Sequence, residues 1–348
     1  MRRIFVRAAL CVIAAICLGT TAAAWAATPS GGFSLQVTPS PLVATIKPGQ
    51  QSVLELKIHN ANTAPEDLKM GLQSFSIDEQ TGKIDLKNSL PDDVKSFVSF
   101  SDPTFHIEAG QWFTEKIIID TPANAGFSYS FATIISRQNP AVATKGSSAI
   151  EGSVAVFTLL GVDRPGAIRK LDISEISSVK HVYEYLPAHL SLKLKNSGNT
   201  LLLPKGNIFI SRTTNARTPL AVININPGNG YILPSTSRIL ENDWSDGFPS
   251  YQKTTKDDGS VGSKLMWNWS NLSQLRIGKY VAHVVAVYSD GVRDIPVEAT
   301  VSFWVIPWKL LLGVALFAVL VIVGIVTTLR KSAKLVKRRG KSADASEK

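Results

Sequence analysis

Leu310–Leu329, reading Leu-Leu-Leu-Gly-Val-Ala-Leu-Phe-Ala-Val-Leu-Val-Ile-Val-Gly-Ile-Val-Thr-Thr-Leu, carries no charged residue along its length. As an α-helix rising about 1.5 Å per residue, such a run reaches across the roughly 30 Å of a bilayer's hydrocarbon core. It predicts one transmembrane helix over 306–329, and every other segment must be compatible with that. Trp304 and Trp308 precede it, where indole rings favour the headgroup layer, and Lys309 can extend its stem to the same layer. Arg330, Lys331, Lys334, Lys337, Arg338, Arg339 and Lys341 follow. This basic tail, 330–348, predicts a cytoplasmic C-terminus with all upstream sequence outside. Trp304, Trp308, Lys309, Arg330 and Lys331 are the expected anchor residues.

The other end of the chain agrees. Arg2, Arg3 and Arg7 lead into the apolar stretch 8–18, and Ala24-Trp25-Ala26 has the small-x-small form of a signal-peptidase site. Residues 1–26 therefore read as a signal peptide. Both cysteines, Cys11 and Cys17, fall inside it, so no disulfide is expected in the remainder, which must rely on hydrophobic cores. The formal net charge of +10 does not point to nucleic acid. Three arginines of the signal peptide and a tail of net +6 account for most of it, leaving about +1 in between. The basicity marks topology and attraction to anionic headgroups.

Between these ends lie about 280 residues, enough for two domains of ordinary size. Their pattern is β almost throughout. Leu54, Leu56 and Ile58 alternate with Glu55, Lys57 and His59, and Leu190, Leu192 and Leu194 alternate with polar partners in the same way. Further strands are predicted at 97–100, 112–120, 129–136, 153–160, 207–211 and 220–225, with Gly, Pro, Asn and Asp between them. Asp290-Gly291 marks a tight hairpin between Lys279–Tyr288 and a last strand ending at Val305. The stretch 241–264, rich in Asp, Ser, Gly and Thr, predicts a long exposed loop. The expected fold is all-β: an antiparallel immunoglobulin-like β-sandwich over 27–162, a linker at 163–170, a second sandwich over 171–305, then the helix.

Signals for chemistry are weak. The histidines, His59, His106, His181, His189 and His283, have no metal-binding spacing, and Asp257-Asp258-Gly259-Ser260 lacks the alternating ligands of a calcium loop. Neither a nucleophile elbow nor a phosphate loop is present. No catalytic residue, metal or cofactor is expected. The candidates for binding are aromatic: Trp244 and Tyr251 in the predicted loop, and Trp267 with Trp269, which would share one face of a strand. Trp267 and Trp269 have a second reading, as filling for the core of the second domain or for its membrane-proximal end. Leu233-Pro234-Ser235-Thr236-Ser237 lies too far before the helix to serve as a wall-sorting signal.

The order of short motifs carries a family resemblance. It runs from 33–39 and Ile46-Lys-Pro-Gly-Gln through Leu54–Asn60, 117–123 and 149–156, then Leu190–Asn196, 231–237, Gly278-Lys-Tyr and Phe303-Trp-Val-Ile-Pro-Trp-Lys at the membrane. In this order, and in architecture, the chain resembles the WxL-interacting proteins of Gram-positive bacterial surfaces. The resemblance implies two β-sandwich domains, one C-terminal membrane helix, and a role at the cell surface holding a secreted protein, with peptidoglycan as a further partner. The expectation is a non-enzymatic, membrane-anchored binding or scaffold protein with no nucleic-acid partner. The alternative is a carbohydrate-binding or wall-remodelling enzyme whose acidic residues no motif reveals.

Overall fold

Stretches with two-residue alternation become strands because a pleated chain sends successive side chains to opposite faces, and one face finds a core. The computed structural model describes residues 33–87, 89–90, 92–139, 152–214, 216–255 and 259–343. The predicted signal peptide with Cys11 and Cys17 lies outside the described residues, as do Asp257 and Asp258. The fold is all-β, two immunoglobulin-like sandwiches followed by one apolar helix.

The first sandwich contains β1 (Leu35–Thr38), β2 (Leu42–Ile46), β3 (Gln51–Asn60), β4 (Glu66–Ile77), β5 (Ile84–Lys87), a short helix α1 (Asp92–Phe97), β6 (Val98–Phe100), β7 (Thr104–Ile107), β8 (Trp112–Asp120), β9 (Ser128–Arg137) and β10 (Ser153–Val162). One sheet runs β1-β3-β8-β6 and the other β2-β10-β9-β4-β5, with β7 also on β4. Leu56, Ile58, Ile117 and Ile119 of the first sheet meet Phe131, Ile135, Val156 and Leu160 of the second. The strand predicted at 97–100 starts one residue later, because Phe97 closes α1.

The second sandwich contains β11 (Leu171–Ser178), β12 (Val182–Tyr183), β13 (Ala188–Asn196), β14 (Lys205–Ser211), β15 (Ala221–Asn224), β16 (Ser237–Trp244), β17 (Ser250–Thr255), β18 (Val261–Met266), a 3-10 segment (Trp269–Gln274), β19 (Gly278–Ser289) and β20 (Asp294–Val305). Its sheets are β11-β13-β16 and β12-β20-β19-β14-β15, while β17 and β18 pair only with each other. Pairing is antiparallel except where β2 runs along β10 and β12 along β20. The expected exposed loop at 241–264 is not a loop. Its first residues finish β16, and Ser250–Thr255 pairs with Val261–Met266 as β17 and β18. Alternation fails there because both faces of this two-stranded ribbon are largely open to solvent.

The two domains repeat one device. Leu54-Glu-Leu-Lys-Ile-His-Asn60 and Leu190-Ser-Leu-Lys-Leu-Lys-Asn196 each end a strand on a fully buried asparagine. Asn60 Nδ2 donates to the carbonyls of Ala64 (2.8 Å) and Ile107 (3.1 Å), and its Oδ1 accepts from Asn62 N. Asn196 Nδ2 donates likewise to Thr200 (2.7 Å) and Ile232 (3.0 Å), and its Oδ1 accepts from Gly198 N. Each amide thus satisfies two backbone groups of the turn after its strand and ties that turn to a distant segment, at Ile107 in one domain and Ile232 in the other. The domains touch at the β4–β5 turn. There Glu79 pairs with Lys193 (2.5 Å) and its carbonyl accepts from Ile239 N (3.0 Å).

Glu115 is a charge in the wrong place. It is fully buried on β8, its Oε1 accepts from Asp102 N (3.1 Å), and its Oε2 has no partner. Burial, with Asp102 adding repulsion, holds its carboxyl above the usual carboxylate range. A raised native pKa means that the contribution of this group to stability is present under acid conditions and lost as pH rises through the native value. Glu115→Gln is therefore expected to raise the Tm at pH 7 and to lose that advantage on acidification toward pH 4. Thermal unfolding of parent and variant at the two pH values checks this; a variant less stable at both would show that the carboxylate is needed.

After β20 the chain makes Ile306-Pro307 and enters α2 (Trp308–Ala343). The helix begins two residues later than predicted and continues past Leu329 into the basic tail. Within it, Trp308–Lys331 is long and apolar enough to cross a membrane.

Candidate functional site

Between β16 and β19 the chain leaves the sandwich and returns to it, and the described residues of this excursion build an aromatic surface. Asp246 and Arg276 clasp the base of this excursion through a 2.7 Å ion pair, with Arg276 Nε also donating to the Asp246 carbonyl. One backbone bond seats it on the domain, Tyr251 N to the Leu186 carbonyl (2.8 Å), and another closes it on itself, Phe248 N to the Gln274 carbonyl (3.0 Å). Phe248 is buried and supports both indoles, with ring centroids 5.8 Å from Trp267 and 5.3 Å from Trp269. Those indoles lie 5.8 Å apart and remain 42% and 67% exposed. Tyr185 extends the group, 6.4 Å from Trp267 and 6.3 Å from Tyr251.

The surface adjoins the root of α2. Glu184, beside Tyr185, accepts a 2.9 Å bond from Lys309 in the first helical turn. Ile306 N donates to the Tyr183 carbonyl (2.7 Å) and Trp304 N to that of His181 (2.8 Å), which brings the end of β20 onto β12. An open cleft of about 550 Å3 lies here, lined by Tyr185, Tyr251, Lys253, Ile306 and Trp308 among others. Partial burial, with Glu184 nearby, pushes the Tyr185 phenol above its ordinary pKa, so it stays a neutral donor. Beneath, the Tyr183 hydroxyl joins Ser178 Oγ, Lys180 N, His189 N and the His189 carbonyl at 3.0–3.1 Å, which holds this corner rigid.

Of the four binding candidates read from the sequence, the structure joins Tyr251, Trp267 and Trp269 and removes Trp244. Trp244 is 1% exposed and packs in the core at 4.9 Å from Tyr280 and 6.0 Å from Phe303. As the last residue of β16 it faces inward with Leu240 and Asn242, a register invisible while 241–264 reads as a loop. Trp267 and Trp269 do not fill the core. Trp304, Trp308, Arg330 and Lys331 are all exposed, and Lys309 holds Glu184. Sequence reasoning missed Phe248 and Tyr185. The Phe248-Pro249 step before the hairpin was the available signal for the first; nothing local marks the second. Among the described residues no group of three or more His, Cys, Asp or Glu side chains could hold a metal.

A second aromatic feature lies on the first domain. Trp112 opens β8 and stacks on His59 of β3 with centroids 4.7 Å apart, and the indole is exposed. His59 Nε2 lies 3.2 Å from the Gly110 carbonyl.

The class that this architecture defines is a protein of two immunoglobulin-like β domains with a C-terminal apolar helix. No family model matches the chain, and no curated protein matches it. Among solved structures it is similar to the class 5 fimbriae chaperone CfaA, at 11% identity and a TM-score of 0.38, over 78% of this chain and 99% of that one. The Pseudomonas aeruginosa CupB2 chaperone is similar at 8% identity and a TM-score of 0.34, over 78% and 100% of the two chains. A PapD-like domain of human CEP192 covers 37% of this chain at 12% identity and a TM-score of 0.25.

Proposed function

We propose that this protein is a non-enzymatic surface holder, fixed in a membrane by α2, that retains a secreted or surface protein through its β domains. The observation carrying this reading is the join between β20 and α2. Only Ile306 and Pro307 separate them, and the Glu184–Lys309 pair ties the first helical turn back to the domain. A domain joined so closely has little swing relative to the helix, which suits a fixed support. The positive-inside bias of the cations from Arg330 onward supports a cytoplasmic tail with both sandwiches outside. The exposed Trp112 of the first domain is a contact of the type enriched at binding hot spots. The resemblance of the sequence to the WxL-interacting proteins supports the same role.

The test combines topology and capture. Without the signal peptide the chain has no cysteine, so single-cysteine variants report cleanly. Val292→Cys is expected to react with a membrane-impermeant maleimide on intact cells, and Ser342→Cys only after permeabilisation. Crosslinking of intact cells is expected to capture a discrete secreted protein and to lose it with Trp112→Ala. Equal labelling of both cysteines would refute the anchor. Capture of wall glycan alone would replace the protein partner with peptidoglycan and favour the carbohydrate-binding alternative.

A further inference from the structure

We infer that the face formed by Trp267, Trp269 and Leu272 rests in the headgroup layer of the same bilayer that α2 crosses, giving the second domain a lipid-bound foot beside its helix. The inference depends on α2 being a membrane span, and it assigns the aromatic surface to lipid rather than to the held partner.

Three observations converge on it. The first is the character of the surface: two indoles more than two-fifths exposed, with Leu272 54% exposed on the adjoining 3-10 turn. Indoles of this kind, polar at one edge and apolar elsewhere, partition into the membrane–water interface. The second is position. Tyr185 touches Trp267 on one side, and its neighbour Glu184 binds Lys309 of the first turn of α2 on the other. Trp308 and Tyr251 line a single cleft. The aromatic surface therefore adjoins the point where the helix enters the bilayer, next to the cleft that Trp308 lines. The opposite end of the domain is far away, since β20 spans about 37 Å from Asp294 to Val305 at 3.3–3.4 Å per residue.

The third observation is charge. From Gly259 to Ser289 the sequence contains no Asp or Glu, while Lys264 and Lys279 are exposed. Among the described residues, three acids bordering the surface are already engaged: Glu184 with Lys309, Asp243 with His189 (2.6 Å), and Asp246 with Arg276. An anionic or zwitterionic phosphate layer thus meets aromatic rings and lysines rather than free carboxylates. A soluble partner would not require the surface to lie beside the helix entrance; a lipid surface does. The supporting Phe248 beneath both indoles keeps them presented outward, so that little ordering is needed on contact.

The test uses the chain without its signal peptide, reconstituted in phosphatidylcholine–phosphatidylglycerol vesicles, with an environment-sensitive dye on Leu272→Cys. Val292→Cys at the far turn is the reference. Vesicle flotation after alkaline wash establishes insertion independently. The dye at 272 is expected to emit to the blue of that at 292 and to be quenched roughly threefold less by aqueous iodide. The combined Trp267→Ser and Trp269→Ser change should abolish the protection without affecting flotation. Equal quenching at 272 and 292 in chains that float would overturn the lipid foot and leave the anchor standing. Failure to float would overturn the anchor itself. Protection arising only on addition of wall fragments or a secreted protein would overturn the lipid foot and give the surface to that partner.

Discussion

Replacing Trp244 with alanine is expected to destabilise the protein by about 3–5 kcal/mol, the range for removing a fully buried large aromatic side chain. The indole is the largest wholly buried side chain in the molecule as described, and it lies where both sheets of the second sandwich meet. Tyr280 of β19 and Phe303 of β20 pack edgewise on it, and the Arg276 guanidinium lies 5.9 Å from its ring. Its removal would leave those rings around a void that two rigid sheets cannot close. Because Arg276 also clasps the base of the excursion that carries Trp267 and Trp269, the same change should loosen the aromatic surface. Trp269→Ala, two-thirds exposed, should by contrast stay within about 0.5 kcal/mol of the parent. Pulse proteolysis of the full chain in detergent across a urea series compares the two. Similar losses from both would mean that Trp244 is not the keystone of this core.

That contrast shows where residue patterns stopped being informative. Several strands with one dry and one wet face were legible to within a residue or two: β8 coincides with the predicted 112–120, and β13 and β19 are nearly as close, while the short or interrupted alternation of β2, β7 and β16 was not read as strand. Alternation along such strands is a direct imprint of the core. The ribbon β17–β18 carries no imprint because neither face is covered, so its polar composition reads as loop. Trp244 was misplaced for a different reason: it ends the half-buried strand β16, whose inward positions Leu240, Asn242 and Trp244 include a polar residue that hides the alternation. Trp267 and Trp269 were legible as a pair, but not that Phe248, nineteen residues upstream, supports them, since contacts across a chain excursion leave no periodicity. The paired buried asparagines Asn60 and Asn196 were visible as strand ends; their roles as hydrogen-bond hubs depend on turns that only the fold brings near. The long apolar helix was the easiest feature, because a bilayer imposes length and composition together.

The second large effect is expected at Arg137. Glu66 on β4 is almost wholly buried, and it meets the Arg137 guanidinium of the neighbouring β9 in a two-point contact, with Nε to Oε2 at 2.6 Å. Asn62 Nδ2 supplies a third donor at 2.8 Å, and Phe33 lies under the guanidinium at 5.2 Å. Arg137→Ala leaves the carboxylate in place without its cation, and the expected loss is about 3–5 kcal/mol. Most of that cost is the stranded charge rather than the lost attraction. Changing both partners together, Glu66→Gln with Arg137→Met, removes the charge and keeps the volume, so the double variant should be clearly more stable than Arg137→Ala alone. Since the pair is shielded from solvent, its contribution should also persist in high salt, unlike that of the exposed Lys83–Asp85 pair. Urea unfolding of the single and double variants at low and high salt would decide the matter. A double variant as damaged as the single one would mean that the contact serves packing and geometry, with charge secondary.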